Sequence, residues 1–193
     1  MNSSDNFEKY ARGDGSYWSF GIGNSGALVV ASPANASATL VQTATCYLLT
    51  FQNGEQRQFS LSTGQLIAIV DRNGNTTNLS YDSSNRLVTA TSPTSQHLYF
   101  NYGSGASSYL VTSVTSNFGV TLSYSYDTAG RLVQVTKPDQ TTVNYIYNTQ
   151  SQITAVTDND GKVLESHTYD SNGRGLTSSQ ANGVNAVSIT YPQ

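Results

Sequence analysis

Apolar and polar residues alternate along short stretches of the chain, and these stretches recur with a long period. Val143, Tyr145 and Tyr147 are separated by single intervening residues, and alternation with a period of two indicates β-strands. Aromatic markers recur every 21 to 24 residues, at Phe59, Tyr81, Tyr102, Tyr126, Tyr147, Tyr169 and Tyr191. Aliphatic markers follow every 21 to 23 residues, at Leu66, Leu87, Leu110, Leu132, Ile153 and Leu176. Two residue classes that share one period predict a repeat protein.

Each repeat also carries two turn signals. The first follows the tyrosine and reads Asp-x-x-Gly-Arg, at 127–131 and 170–174. The second is a short pair of turn-forming residues, which favour tight hairpins and, where Gly is present, positive backbone angles. These pairs are Asn53-Gly54, Asn73-Gly74, Pro138-Asp139, Asp160-Gly161 and Asn182-Gly183. Two strands and two turns in about 22 residues leave no room for a crossover helix, so neighbouring strands must run antiparallel.

The predicted fold is therefore all-β: an antiparallel meander of about six stacked hairpins that forms one curved or spiralling, open sheet. We expect a bulge or inserted loop at 103–108, where Gly and Ser residues replace a short turn. Residues 1–52 lie outside the regular repeat and are predicted to form an irregular β cap, followed by hairpin repeats over 53–193. Strands are expected in the cap at 17–20, 27–31 and 47–51, with a loop over 33–37.

Composition excludes several classes of protein. The formal net charge is −3 and no cluster of Lys or Arg occurs, so phosphate-mediated nucleic-acid binding is not expected. Cys46 is the single cysteine; it cannot form an intrachain disulfide and is interpreted as a small buried side chain. No run of 18 apolar residues predicts a membrane span, and the polar N-terminus lacks the apolar segment of a signal peptide.

Two short motifs match known binding sequences, but the residues around them do not support a binding site. Residues 21–26 fit the Gly-x-Gly-x-x-Gly pattern of dinucleotide sites, but a strand-like stretch follows in place of a helix. A flexible hairpin turn is the better interpretation. The tripeptide 12–14 matches an integrin-binding sequence, and an entry turn explains it equally well.

A calcium loop is a third alternative. Asp71, Asn73, Asn75 and Asp82 occupy positions 1, 3, 5 and 12 of such a loop, but Thr76 stands where Gly is required. A turn stabilised by Asp and Asn side chains accounts for the same residues.

No catalytic arrangement is evident from residue spacing. His97 and His167 could each contribute to a Ser-His-Asp site, but no nucleophile-elbow pattern accompanies them. His167 alternates with Glu165 and Tyr169, which predicts one shared sheet face and a structural role. We expect no catalytic residue, no metal site, no cofactor and no enzyme activity.

The repeated tyrosines have two interpretations that remain open. Aromatic rings on one sheet face stabilise the sheet through cross-strand pairs, and an exposed row of rings could also bind sugars. The two residues of the repeated Gly-Arg pair are predicted to have different roles. Its Gly is predicted to take a positive φ, and its Arg to pair with the Asp of the neighbouring turn in a charge ladder.

These motifs resemble the bacterial RHS, or YD-repeat, family. The likeness rests on Tyr-Asp at 81–82, 126–127 and 169–170, on Gly-Arg-Leu at 130–132, and on the stretches at 12–16 and 71–75. Tyr102-Gly103, Tyr147-Asn148 and Tyr191-Pro192 depart from it. The predicted structural markers are Tyr81, Asp82, Leu87, Tyr102, Leu110, Tyr126, Asp127, Gly130, Arg131, Leu132, Tyr147, Ile153, Tyr169, Asp170, Gly173, Arg174, Leu176 and Tyr191.

The resemblance implies a function without catalysis. Related toxin-complex components and teneurins use such sheets as shells or barrels, so we expect a structural scaffold from a larger secreted or surface protein that wraps or displays a cargo or toxin domain. Enclosing a cargo of ~100 residues requires roughly 300 residues of sheet, so this chain is expected to be an open segment of a longer protein. Its partners would be other RHS segments. The alternative is a carbohydrate- or protein-binding module that uses the tyrosine face, and the open sheet edges could support self-association.

Overall fold

The computed structural model describes residues 7–22, 28–33 and 38–192. The chain divides into two compact units, Met1–His97 and Leu98–Gln193, and each is described by itself. This division reflects compactness and does not test the predicted boundary between cap and repeats at residue 52.

The first unit is an antiparallel meander in which consecutive strands pair. Its strands are β1 (Phe7–Ala11), β2 (Tyr17–Ile22), β3 (Leu28–Ser32), β4 (Ala38–Gln42), β5 (Cys46–Phe51), β6 (Gln56–Ser60), β7 (Leu66–Val70), β8 (Thr76–Tyr81) and β9 (Leu87–Thr91). The strands predicted in the cap correspond to β2, β3 and β5, whereas β1 and β4 were not predicted. The Gly-x-Gly-x-x-Gly motif at 21–26 lies partly outside the described residues. The predicted loop at 33–37 lies mostly outside them.

The second unit continues the same arrangement. Its strands are β10 (His97–Tyr102), β11 (Val111–Ser116), β12 (Thr121–Tyr126), β13 (Leu132–Thr136), β14 (Thr142–Tyr147), β15 (Ile153–Asp158), β16 (Val163–Tyr169), β17 (Gly175–Gln180) and β18 (Val187–Ser188). One-turn 3-10 helices lie at Gly105–Ser107 and Ala181–Gly183. The all-β meander and the inserted loop after β10 are confirmed.

Five of the repeat tyrosines lie at a bulge in their strand pair. Tyr126 pairs with Leu132, and the register shifts between Ser125 and Tyr126. The same shift occurs at Tyr81, Tyr102, Tyr147 and Tyr169. A bulge adds one residue to one strand and increases the local twist, so the period of the repeat also sets a periodic twist.

Complete burial is concentrated in the first unit. Phe20, Leu40 and Leu49 are fully buried, together with Tyr10 and Phe59. The ring of Tyr10 on β1 lies 5.8 Å from that of Phe59 on β6 in an edge-to-face arrangement, so β1 packs over the later strands of its own unit. This packing gives the first unit an apolar core.

The second unit is held together differently. Of the side chains described there, Thr157 alone is buried, while the repeat aromatics and aliphatics are mostly half-buried. Neighbouring hairpins must therefore supply most of the contacts that stabilise each other. No helix among the described residues has the length and apolar character needed to cross a membrane.

Candidate functional site: the repeated turn and its tyrosine

The turn that follows Tyr81, Tyr126, Tyr147 or Tyr169 has one backbone geometry. In the turn 127–131, the N–H of Asp127 donates to the carbonyl of Arg131 at 3.0 Å, and the N–H of Gly130 donates to the carbonyl of Asp127 at 3.0 Å. Gly130 has a φ of 78°. This is a three-residue hairpin loop closed by a residue in the left-handed region, which explains why Gly, or a tolerant residue such as Asn85, stands there.

The aspartate side chain organises this turn. One carboxylate oxygen of Asp127 accepts hydrogen bonds from the N–H groups of Ala129 and Arg131, both at 2.9 Å. The other oxygen accepts one from Nε of Arg131 at 2.6 Å. The turns of Asp82 and Asp170 repeat these contacts.

These contacts stabilise the charged form of each carboxylate. The backbone N–H of Arg131 is the largest cause that lowers the pKa of Asp127, and the guanidinium adds to the effect. The pKa values of Asp82 and Asp170 are lowered for the same first reason, by Arg86 and Arg174. The predicted charge ladder between neighbouring turns is wrong, because each Arg pairs with the Asp of its own turn. Residues four apart across a three-residue loop are already close enough to pair.

The turn 148–152 preserves this geometry without any charge. Asn148 replaces the Asp, and its oxygen accepts from the N–H groups of Gln150 and Gln152 at 3.0 Å. Its amide nitrogen donates to Oε1 of Gln152 at 2.9 Å. The departure from Tyr-Asp at this position is therefore a neutral substitute for the Asp–Arg pair.

Five repeat tyrosines are each fastened by their hydroxyl to the chain about 15 residues earlier, at or next to the start of the preceding strand. The hydroxyl of Tyr147 donates to the carbonyl of Leu132 at 2.8 Å. We call this contact the tyrosine anchor. It recurs from Tyr81 to Leu66, from Tyr126 to Val111, from Tyr169 to Ile153 and from Tyr191 to Gly175, at 2.8 to 3.0 Å.

Arginine covers some of these rings. The guanidinium carbon of Arg131 lies 4.8 Å from the ring centroid of Tyr147, and that of Arg174 lies 4.3 Å from the centroid of Tyr191. Cation–π contacts of this length are attractive. The Arg of one turn thus contacts the tyrosine that ends the following hairpin.

The anchored rings are not an exposed aromatic row. Tyr81, Tyr102, Tyr126, Tyr147 and Tyr169 are half-buried, and only Tyr191 of the repeat tyrosines is exposed, at 37%. Because the hydroxyl groups of the five anchored tyrosines donate to backbone carbonyls, the packing interpretation of the tyrosines accounts for the geometry.

Successive tyrosine turns are also joined by side chains. We use the term tyrosine turns for 82–86, 127–131, 148–152 and 170–174, and we include 60–65, which follows the aromatic marker Phe59 and is one residue longer. Gln65 donates to the carbonyl of Asn85 at 3.1 Å, and Gln152 donates to the carbonyl of Gly173 at 2.7 Å. Nη1 of Arg131 donates to Oγ of Ser151 at 3.2 Å. Sequence reasoning missed Gln65 and Gln152, although both follow a turn residue at the position where other repeats carry Arg.

The second turn of each repeat has the same backbone form. In the turn 137–141, Gln140 donates its N–H to the carbonyl of Lys137 at 2.9 Å and has a φ of 67°. The positive angle therefore falls after the predicted pair Pro138-Asp139. In the turns of Asn53-Gly54, Asn73-Gly74 and Asp160-Gly161 it falls on the Gly.

The other candidate sites are accounted for by local structure. Asp71 accepts from the N–H groups of Asn73 and Asn75 at 2.8 and 2.9 Å, as the turn interpretation of the calcium-loop motif predicts. Asp14 accepts from Ser16 in the turn between β1 and β2. Among the described residues, no group of three or more His, Cys, Asp or Glu is placed to hold a metal ion.

The histidines make local contacts. Nε2 of His167 lies 3.6 Å from Oε2 of Glu165, in agreement with the predicted shared face. Nδ1 of His97 lies 3.1 Å from Oγ1 of Thr91. Cys46 is buried and free, and Oγ1 of Thr43 accepts from its N–H at 3.0 Å.

The geometry defines a repeat scaffold of antiparallel hairpins, and two segments of it match a known family model. The RHS Repeat family model matches residues 62–97 and 110–142. These two segments therefore match RHS repeats, and the resemblance predicted from the Tyr-Asp and Gly-Arg-Leu motifs is confirmed. No curated protein matches the chain in sequence.

Solved structures share the fold at low sequence identity. The crystal structure of TcdB2-TccC3-Cdc42 aligns with a TM-score of 0.53 and 13% identity, over 95% of this chain and 12% of that chain. The Tc holotoxin pore of Photorhabdus luminescens, with a mutation in TccC3, aligns with a TM-score of 0.53 and 13% identity, over 85% of this chain and 10% of that chain. The chain thus spans about an eighth or less of the length of these structures.

Proposed function

We propose that the chain is a non-catalytic scaffold that forms part of the wall of a larger secreted or surface RHS-type protein, and that this wall wraps or displays a cargo or toxin domain. The tyrosine anchor carries the proposal. Its recurrence fastens successive strands to one another, so the hydroxyl groups that could have bound a ligand stabilise the sheet instead.

The use of polar groups supports the same function. The Asp–Arg pairs lie within their own turns. In the part of the chain that the structure describes, no buried side-chain nitrogen or oxygen lacks a hydrogen-bond partner. Catalytic sites commonly contain titratable groups that are perturbed within a cleft, whereas the perturbed carboxylates here are those that organise exposed turns.

The low burial of the second unit supports a role as a wall rather than as an independent globular domain. A sheet whose two faces are both partly exposed buries less apolar area than a sandwich. The likeness in fold to structures of TcdB2-TccC3 and the Tc holotoxin pore is consistent with this role.

The test uses the complete polypeptide that carries these repeats in its natural source. Electron microscopy should show a particle with an internal cavity, and limited proteolysis should leave one enclosed segment protected until the wall is disrupted. Tyr147→Ala should weaken this protection, whereas Ile146→Ala, on the neighbouring and 49% exposed side chain, should preserve it. A particle without a cavity, in which all segments are cleaved equally, would refute the proposal.

A protein-binding surface is a second candidate function, and exposed apolar side chains favour it. Phe118 and Val120 in one turn are 68% and 52% exposed, and Val184 and Val187 are 56% and 55% exposed. Such residues can form contacts between chains. Sedimentation velocity should show concentration-dependent self-association that Phe118→Ser reduces; a monomer at all concentrations would count against this function.

A further inference from the structure

We infer that the residue immediately after the left-handed residue of each tyrosine turn is a positioning residue, which sets the spacing between that turn and the next one, and that Arg and Gln serve this role interchangeably. The inference does not depend on the shell role, because it concerns only how successive hairpins are joined.

The first observation is that these side chains are held at both ends. Oε1 of Gln152 accepts from Asn148 in its own turn, while Nε2 donates to the carbonyl of Gly173 in the next turn. Gln65 likewise accepts from Thr63 at 2.9 Å and donates to Asn85. Because the amide oxygen is held within its own turn, the direction of the amide N–H that points to the next turn is also fixed.

Arginine makes the corresponding pair of contacts. Nε of Arg131 donates to Asp127 in its own turn, and Nη1 donates to Ser151 at 3.2 Å in the next turn. A guanidinium has N–H groups that point in several directions, so it can satisfy both turns at once.

The second observation is that the receiving group belongs to the left-handed residue of the next turn. Asn85, Ser151 and Gly173 have φ values of 62°, 63° and 78°. Gly173 receives the closest approach: a Cβ placed there would lie 3.2 Å from Nε2 of Gln152. The left-handed residue therefore reverses the chain and also offers an acceptor to the preceding turn.

The third observation is a difference in sequence between the two kinds of turn. The positions after the left-handed residue in the tyrosine turns carry only long side chains with N–H donors: Gln65, Arg86, Arg131, Gln152 and Arg174. The same positions in the other turns of this form carry Ser16, Glu55, Asn75, Gln96, Val120, Thr141 and Lys162. These share neither length nor chemistry, so the requirement is specific to the tyrosine turns.

Distance explains the requirement for length. Turns on one edge of a meander are separated by two strand spacings, about 9.5 Å. Gln and Arg side chains can bridge this separation with one hydrogen bond, whereas Thr and Val cannot. The tyrosine turns are thus held at a fixed separation by the side chains that join them.

The experiment measures amide hydrogen exchange by NMR in the full chain and in three variants. Gln152→Leu keeps a similar volume but removes the donor, Gln152→Arg restores a donor, and Lys162→Leu changes the matching position of another turn in the same unit. The N–H of Gly173 donates to the carbonyl of Asp170 within its own turn, and Gln152 holds that turn through the Gly173 carbonyl. A single hydrogen bond of ordinary strength corresponds to a factor of about five. Gln152→Leu should therefore let this turn open more readily and speed exchange of the Gly173 amide about fivefold. Gln152→Arg and Lys162→Leu should leave that exchange near the unmodified rate.

A second measurement does not require any variant to fold. In the unmodified chain, the side-chain amide protons of Gln152 should exchange more slowly than those of Gln150, which is exposed in the same turn. Equal rates for the two side chains would overturn the inference. It would also be overturned if Gln152→Leu left Gly173 unchanged, or if Gln152→Arg behaved like the Leu variant.

Discussion

Removing the hydroxyl or the ring of Tyr147 should separate the two contributions of a tyrosine anchor. Tyr147→Phe deletes the hydrogen bond to the carbonyl of Leu132 and keeps the ring beneath Arg131. The net value of one such hydrogen bond is about 1 kcal/mol, and this is the expected loss in the free energy of unfolding.

Tyr147→Ala removes the ring as well. A half-buried tyrosine shields about 100 Å² of apolar surface, which at about 25 cal/mol per Å² contributes about 2.5 kcal/mol. The contact with the Arg131 guanidinium adds roughly 0.5 kcal/mol at a partly exposed position. With the lost hydrogen bond, the expected total is about 4 kcal/mol, within the range for aromatic-to-alanine substitutions.

The assay should resolve local from global unfolding, because repeat arrays often unfold in parts. Native-state hydrogen exchange under increasing urea reports the free energy of opening for each strand. The losses should appear in β13, β14 and β15, and the control variant Ile146→Ala should cost less than about 1 kcal/mol. The anchor would be refuted as a stabilising contact if Tyr147→Ala and Ile146→Ala lowered these free energies equally.

Three further predictions follow from the turns and the tyrosines. In urea unfolding, Gly130→Ala should lower the free energy of unfolding by about 0.5 kcal/mol more than Gly119→Ala does. Both glycines have a φ of 78°, but of the two only Gly130 has a neighbour that an added Cβ would meet, the Tyr109 hydroxyl at 3.3 Å. The pKa of Asp127 is lowered in the folded chain, so the stability that its carboxylate contributes is present above its ordinary pKa of 3.8 and is lost as the pH falls below that value. The Asp127→Asn variant should therefore lose less stability than the unmodified chain between about pH 6 and pH 3, the range in which carboxylates titrate. An unchanged profile of stability against pH would contradict this. Burial, and to a smaller extent the nearby Tyr124, raises the pKa of Tyr126. The stability that its neutral hydroxyl contributes is therefore complete below pH 10 and is lost as the pH rises through the pKa of the folded chain. Tyr126→Phe should reduce the loss of stability at alkaline pH, and an identical alkaline profile would argue against this.

The strand order could be predicted from the sequence because the signal was repeated. Tyr126 and Leu132 each recur with a period close to 22 residues, and a hairpin is the only regular unit of this length that both alternates and reverses. In contrast, β4 (Ala38–Gln42) has no such marker. Its assignment depends on pairing with β5, which is a tertiary contact that a local pattern does not contain.

The contacts of the site were less predictable than its residues. The Asp and Arg of each turn were identified, but their pairing was assigned to neighbouring turns because spacing along the chain does not show which way a side chain points. Asn148 was noted only as a departure from Tyr-Asp, and its pairing with Gln152 was missed because both members of the pair change together, from a charged pair to an amide pair. The acceptors of the tyrosine anchors are backbone carbonyls, such as that of Leu132, and side-chain identity carries no information about them.

The tyrosine anchor can be tested most directly by NOE measurements on the chain with labelled tyrosine rings. The rings of Tyr81, Tyr126 and Tyr147 should each show contacts with the strand residue that lies 15 positions earlier, and that of Tyr169 with the residue 16 positions earlier. This regular set of contacts is the result that the account predicts. Rings whose contacts follow no common separation, or that contact only their sequence neighbours, would contradict it.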